Sequence, residues 1–330
     1  MPRQPTLCLI TPALAEARNG NWQTAQRWAR MLSSRFSVRL MKNWDGQPAD
    51  LMIALHARRS AESIAAWAAA LPGHPLIVAL TGTDLYRDIN HDPAAQRSLE
   101  LAQRLIVLQE LGPLALPVHL REKCEVCFQS TASRRPRPAG STLGVQAKTA
   151  RHLRALAVGH LRDEKSPETF FGLARHFAGR DDLRFDHIGA ALDAQLGSEA
   201  LALAAENPGY RWLGSLPHKQ VRQRISRAHL LIHPSCMEGG AHVVMEAVAS
   251  GTPVLASRID GNCGMLGKDY AGYFAHGDVA ELAALVERCR RDQAFLAQLN
   301  AQCTARAPLF EPQHEQSTLI RIACQLLGQK

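Results

Sequence analysis

The chain has 330 residues, 46% of them hydrophobic and 21% charged, with a formal net charge of +8. That length accommodates two domains of ordinary size, and no apolar stretch approaches the ~20 residues of a membrane-spanning helix. The opening Met1-Pro2-Arg3-Gln4-Pro5 runs into an apolar strand without a signal peptide's long apolar region, so a cytoplasmic protein with no membrane partner is expected.

Taken in order, the first half alternates short apolar runs with helical patterns. Leu7–Ile10 reads as a buried strand, and a helix is predicted from about Trp22 to Ser34, with Trp22, Ala25, Trp28, Ala29 and Leu32 on its apolar face. Asn19-Gly20-Asn21 falls at the turn between them, a place for an anion or hydroxyl, or simply a turn. Val38–Met41 and Leu51–Leu55 are further strands, the latter ending in His56-Ala57-Arg58-Arg59, with Ser60 as N-cap of a helix from Ala61 to Ala70. A histidine and two arginines at the C-terminal end of a central strand lie where open α/β sheets bind ligands, and arginine's planar fork suits phosphate. Leu76–Leu80 is followed by Thr81-Gly82-Thr83-Asp84, and Leu105–Leu108 by Gln109. Polar groups thus recur at strand ends, as a parallel sheet with one working edge predicts.

From Ala132 to Thr149 the chain becomes rich in Ser, Arg, Pro and Gly, which marks a domain boundary. The second half opens with the strand Arg154–Val158, then Gly159-His160-Leu161-Arg162 and Lys165, and a helix from Glu168 to His176. A strand from Leu183 to Gly189, a helix from about Lys219 to Ala228 and a strand at Leu230–Ile232 follow. Next comes a strand–turn–helix–strand unit: Pro234-Ser235, the pair Gly239-Gly240, a helix from about Ala241 to Ala249, Gly251-Thr252-Pro253 and the strand Val254–Ala256. Paired glycines let a ligand approach the backbone, and a helix start favours anions. Glu238 and Glu246, about two turns apart, can accept hydrogen bonds from sugar or ribose hydroxyls. Arg258 to Gly264 reads as a glycine-rich loop able to close over a ligand. Ala280–Cys289 and roughly Gln313–Leu327 read as helices.

The charge is uneven. Between Pro117 and Arg154 stand eight basic residues (121, 123, 134, 135, 137, 148, 151, 154) against Glu122 and Glu125. This raises nucleic-acid binding, but Phe128 is the lone aromatic among them, and stacking residues are what a nucleic-acid surface needs. A solvated linker, or a field drawing anionic substrates, fits better, and no nucleic-acid partner is expected. Cys124 and Cys127 form a C-x-x-C pair without a second pair at similar spacing, and read as incidental thiols of a reducing compartment.

The segment from Ser235 to Ser257 resembles the Glu-x7-Glu segment of family 4 glycosyltransferases, whose GT-B fold has two facing Rossmann-like domains with a cleft between them. That resemblance implies an α/β protein with an acceptor domain at 1–140, a nucleotide-sugar domain at 150–307 and a C-terminal helix, 308–330, crossing back to the first domain. It implies donor contacts from Gly239, Gly240, Ala241, His242 and Asn262, ribose binding by Glu246, a donor-sugar contact from Glu238, and Lys165 and Arg162 at the diphosphate. His160 stands where the family has arginine, and His242 where asparagine is expected. Acceptor contacts fall to Gly20, Asn21, His56, Arg58, Arg59, Thr81 and Asp84, with His56 and Asp84 as candidate bases or positioning groups.

Several stretches are sharper still. His56-Ala57-Arg58-Arg59-Ser60, Thr81 to Asp88, Gly159-His160-Leu161-Arg162, His187 to Asp193, Glu238-Gly239-Gly240-Ala241 and Gly261-Asn262 look like the selenosugar synthases of selenoneine biosynthesis. The implied reaction passes a sugar from a UDP-sugar, UDP-N-acetylglucosamine first, to selenophosphate, with UDP and then phosphate lost. It also implies functional coupling to a selenophosphate-producing enzyme. An Asp-x-Asp metal motif is lacking, so no metal and no cofactor is expected. The alternatives are a family 4 enzyme with a hydroxyl acceptor, a GT-B epimerase or hydrolase of UDP-sugars, and a basic nucleic-acid-binding module.

Overall fold

The computed structural model describes residues 3–12, 20–132 and 151–329; Asn19 and the expected linker from 133 to 149 lie outside them. The chain divides into two compact units, Met1–Ser130 with Pro312–Lys330, and Thr131–Glu311. Among the described residues no helix is long and apolar enough to cross a membrane.

The first unit is built on a parallel sheet. Its strands are β1 (Thr6–Ile10), β2 (Ser37–Met41), β3 (Leu51–Leu55), β4 (Leu76–Ala79), β5 (Arg104–Val107) and β6 (Cys124–Val126), in the order β2-β1-β3-β4-β5-β6. A parallel sheet covered on both faces requires near-continuous apolar strands, and all five residues of β3 are buried. Alternate side chains serve opposite faces. Leu7, Leu9 and Ile53 pack with Trp28 and Leu32 of α1 (Gly20–Leu32). Cys8, Met52 and Ala54 pack with Ile64 and Trp67 of α2 (Ala61–Ala70) and with Leu99. Each fully buried leucine or isoleucine contributes about 1.5–3 kcal/mol. The short helices α3 (Ile89–His91) and α4 (Pro93–Leu101) precede β5; Asp92 caps α4 by accepting from Ala95 N at 2.9 Å. Ser60 sits at the start of α2 as expected but makes no capping bond. Its hydroxyl donates instead to the Leu55 carbonyl at 2.6 Å, tying the helix start to the strand end.

The second unit repeats the plan with β7 (Leu153–Val158), β8 (Leu183–Ile188), β9 (Tyr210–Trp212), β10 (Leu230–His233), β11 (Val254–Ser257) and β12 (Tyr273–Phe274), ordered β12-β11-β10-β7-β8-β9. Its helices are α5 (Pro167–His176), α6 (Ala194–Glu206), α7 (His218–Arg227), α8 (His242–Ala249), α9 (Asp260–Leu266), α10 (Val279–Arg291) and α11 (Gln293–Arg306). One expectation is corrected here. Residues Asp260–Leu266 form a helix, with Gly261, Asn262 and Gly264 buried, rather than a glycine-rich loop. Packing decides the difference: a Cβ on Gly261 would lie 2.0 Å from the Glu238 carbonyl oxygen, so glycine is needed for close approach, not for looseness.

The last helix, α12 (Pro312–Leu326), belongs to the first unit and packs on α1. Glu315 fixes it there. Its fully buried carboxylate accepts from Arg27 Nε at 2.9 Å, Trp28 Nε1 at 2.6 Å and Ser130 N at 2.9 Å.

In each sheet, strand order reverses beside the first strand of the unit: between β1 and β3, and between β7 and β10. The crevices at the carboxyl ends of those strands are where open α/β sheets bind ligands.

Candidate functional site

In the second unit the reversal point brings together two loops distant in sequence. After β7 the chain passes Gly159 and His160 into a single 3-10 turn, Asp163–Lys165, closed by Ser166 in the left-handed conformation (φ 45°). After β10 it runs through Pro234 and Ser235 to Glu238 and the start of α8. Lys165 Nζ donates to Glu238 Oε1 at 2.5 Å, and His233 Nε2, at the end of β10, lies 3.1 Å from the same oxygen. Burial opposes charge on Glu238, but Lys165 and His233 outweigh it and hold the carboxyl far below the ordinary carboxylate range. Glu238 is therefore an anion at neutral pH, hydrogen-bonded by Lys165 and flanked by the His233 ring.

A cavity of about 310 Å3 opens here, lined by Lys165, Glu238, Gly240, Ala241 and His242, with His160 and Leu216 at other walls. His160 Nδ1 accepts from Ala190 N at 3.0 Å; burial, then Arg162 and Lys165, lower its pKa and keep the ring neutral. Gly159 and Gly189 touch so closely that a Cβ on Gly189 would lie 1.8 Å from the Gly159 carbonyl oxygen, which brings the ends of β7 and β8 together under the cavity. The first-turn N–H groups of a helix have no intrahelical acceptor, so the α8 start supplies donors suited to an anion.

Further along α8, Glu246 is also buried. Its carboxylate meets His218 Nε2 at 2.5 Å and lies 3.7 Å from Arg222 Nη1, both on α7. Arg222 in turn donates to Ala132 O at 2.7 Å and to the Thr131 hydroxyl. Gly239 is buried beside Glu238. Arg162 stands apart from the cavity wall, its Nε 3.7 Å from Glu164. Asn262 is fully buried: its amide donates to Ser257 O at 2.9 Å and Ser257 Oγ at 3.0 Å, and Ser257 Oγ donates to Ser235 O at 2.5 Å. In this conformation Asn262 braces the Ser235 loop from below.

The first-unit residues cluster at the ends of β3 and β4. Asp84 is fully buried, accepting from Thr81 N at 2.6 Å, Thr81 Oγ1 at 2.7 Å and Ala57 N at 2.9 Å. Burial raises its pKa, although His56 and these donors pull the other way. His56, 1% exposed and at φ 73°, lies 3.7 Å from Asp84 Oδ2 and 3.8 Å from Asp88 Oδ2; burial lowers its pKa. Arg58 Nε donates to Asp88 at 2.9 Å, while Arg59 is exposed. Asp84 and His56 thus link the two strand-end loops. Gly20 and Asn21 open α1 at the end of the undescribed stretch.

Sequence reasoning missed His233, His218 and Arg222. His233 carried a signal, a histidine ending a wholly apolar strand, but the strand was drawn one residue short. Nothing local to His218 or Arg222 points across to α8. Cys124 and Cys127 carry free thiols; burial lifts Cys124 to about 12 and Cys127 higher, against thiolate chemistry.

Residues 145–308 match the family described as glycosyl transferases group 1. The matched segment, just under half of the chain, is similar to that family. The domain's fold is shared widely. The chain superposes on HepE of Anabaena, solved with UDP-glucose, at a TM-score of 0.72 and 17% identity, covering 98% of this chain and 100% of that one. Sucrose-phosphate synthase of Thermosynechococcus elongatus gives 0.75 and 16%, covering 99% and 100%. At such identities the likeness speaks to the fold: two six-stranded parallel sheets of the GT-B glycosyltransferases. A curated relative, 2-deoxystreptamine glucosyltransferase of Streptomyces kanamyceticus, is 35% identical over 104 residues, or 31% of this chain. That match spans about a quarter of the relative's length (27%).

Proposed function

We infer that the protein transfers a glycosyl group from a UDP-sugar, UDP-N-acetylglucosamine in the first place, to selenophosphate. The observation that carries donor binding is the Lys165–Glu238–His233 cluster at the mouth of a cavity closed by the α8 start. The UDP-bearing structures of HepE support a UDP donor. Glu238 faces the donor sugar, Glu246 the ribose, and the amides of Gly239, Gly240 and Ala241 the diphosphate. Arriving phosphate competes with Glu238 for Lys165, so the lysine paired with Glu238 becomes the charge that stabilises departing UDP. Arg162 assists from the same loop.

The acceptor reading rests on the first-unit motifs shared with selenosugar synthases. Arg58 and Arg59, on the loop pinned by Asp84, are assigned to the anionic acceptor, with Thr81 and the turn at Gly20 and Asn21 beside it. Selenophosphate is already an anionic, polarisable nucleophile, so a strong general base is not required, which suits a site whose His56 and Asp84 are buried in structural contacts. Selenium forms a bond to C1 as the C1–O bond to UDP breaks; water then cleaves the selenium–phosphorus bond, releasing phosphate and leaving a selenol on the sugar.

The deciding experiment measures UDP release from UDP-N-acetylglucosamine with and without selenophosphate, with products read by mass. A selenium-bearing sugar formed only when both are present is the expected result. UDP release that needs a hydroxyl acceptor instead, or no acceptor, overturns the selenophosphate assignment while leaving donor use intact.

A further inference from the structure

At the opposite end of the second sheet lies a larger cavity, about 670 Å3, within the size range of small-molecule sites. Its lining is unusual for the flank of a parallel sheet. Arg154 of β7 and Arg184 of β8 are directly paired in register, and two residues on, Leu156 faces Asp186, which is paired with Arg211 of β9. Arg224 and Arg227 of α7 complete the wall. Five guanidinium groups thus share one carboxylate. Asp186 is already engaged, meeting Arg211 at 2.7 Å and Arg224 at 3.4 Å. Among the described residues, Arg154, Arg184 and Arg227 have no ion-pair partner; Arg184 donates only to the Leu183 carbonyl at 2.7 Å, and Arg154 Nε to His152 Nε2 at 3.2 Å. His152 is drawn into the same field. Burial, then Arg154 and Arg184, lower its pKa and favour the neutral ring, so His152 does not add to the positive charge.

Like charges directly opposite on neighbouring strands are unfavourable. Holding two half-buried arginines in register is therefore a cost that an anion would remove. Guanidinium groups converging from two strands and a helix match the several oxygens of a chain of phosphates, each fork engaging two at once. Apart from the His152 imidazole the lining supplies no aromatic ring, and no Trp, Tyr or Phe on which successive bases could stack, which favours a compact anion over single-stranded nucleic acid. Arg154 and Arg184 lie at the strand starts, whereas Lys165 follows the end of β7, roughly 15 Å away at ~3.3 Å per strand residue. The two cavities share no lining residue.

We propose that this cavity is a second anion site, binding a small multivalent phosphate such as a di- or triphosphate group. It acts apart from the strand-end site.

The test uses full-length protein and inorganic tripolyphosphate, followed by calorimetry and by the rise in Tm that binding to the folded state produces. Because the strand-end site can also take phosphate, the background is Lys165→Ala. In that background tripolyphosphate still binds, and Arg154→Gln with Arg184→Gln weakens it at least tenfold. The exposed Arg227→Gln, which leaves packing untouched, weakens it severalfold and serves if the double variant does not fold. The double variant without ligand melts no lower than its parent, since a repulsive pair is removed. Equal affinity in Arg227→Gln and the Lys165→Ala parent overturns the proposal, as does no binding by that parent. Anionic vesicles of phosphatidylglycerol form a separate arm. Binding to vesicles but not tripolyphosphate overturns the small-ligand assignment, as does binding only to single-stranded RNA.

Discussion

His187 shows how a titratable group can be placed for packing rather than chemistry. It lies near the C-terminal end of β8, 3% exposed, with Phe170 and Phe171 rings 5.3 and 5.8 Å away and its Nδ1 3.2 Å from the Tyr210 hydroxyl. Burial lowers its pKa to about 4 from the usual 6.5. The unfolded chain therefore takes up this proton first as pH falls. Stability is full above about pH 6.5, declines between 6.5 and 4, and levels off below, by on the order of 3 kcal/mol in total. A His187→Phe variant is expected to lose that slope, measured as Tm against pH relative to the parent. A parallel decline in both proteins would show that His187 does not titrate this way. The site glutamates differ from His187 in having charged partners. Glu238 and Glu246 were legible as a spaced pair, but their partners Lys165, His233, His218 and Arg222 come from other loops and helices. Only the fold brings those partners within reach.

Elements were legible where their burial is two-sided. β1, β3, β4, β7 and β10 read as apolar runs because helices cover both faces, and their polar ends marked the working edges. The short edge strands β6, β9 and β12 carry two or three residues each and leave no period to detect. α6 and α11 were also missed; α11 has little segregation of apolar from polar residues along its length. α9 failed for a different reason. Glycines usually signal turns, whereas here Gly261 lets the helix press against the Glu238 backbone, a contact invisible in sequence. Gly261→Ala is expected to push the Glu238 loop aside, weakening UDP binding by tenfold or more and lowering stability by about 1–3 kcal/mol. UDP titration and thermal melting check this. Unchanged UDP affinity would mean that α9 does not set the position of Glu238.

Across the whole molecule, α12 is the element that the first unit borrows from the far end of the chain. Glu315→Ala would strand Arg27, Trp28 and the Ser130 amide without their shared acceptor, and removing one partner of a buried pair costs about 3–5 kcal/mol. Tryptophan fluorescence during urea unfolding can follow this selectively, because Trp22, Trp28, Trp44 and Trp67 lie in the first unit and Trp212 in the second. The variant should unfold the first unit at lower urea, with the Trp212 signal unmoved. A single shifted transition for both would show that the two units unfold together.

The same helix bears on how the protein is made. Residues up to Ser130 leave the ribosome early, yet the segment that completes their core begins only at Pro312. At 5–20 residues per second, that gap lasts roughly ten to forty seconds. During it the apolar surface awaiting Leu319 and Ile322 stays uncovered, while the second unit is still being synthesised. The first unit is thus expected to reach its final packing only at the end of synthesis, and a chaperone has its window on it until then.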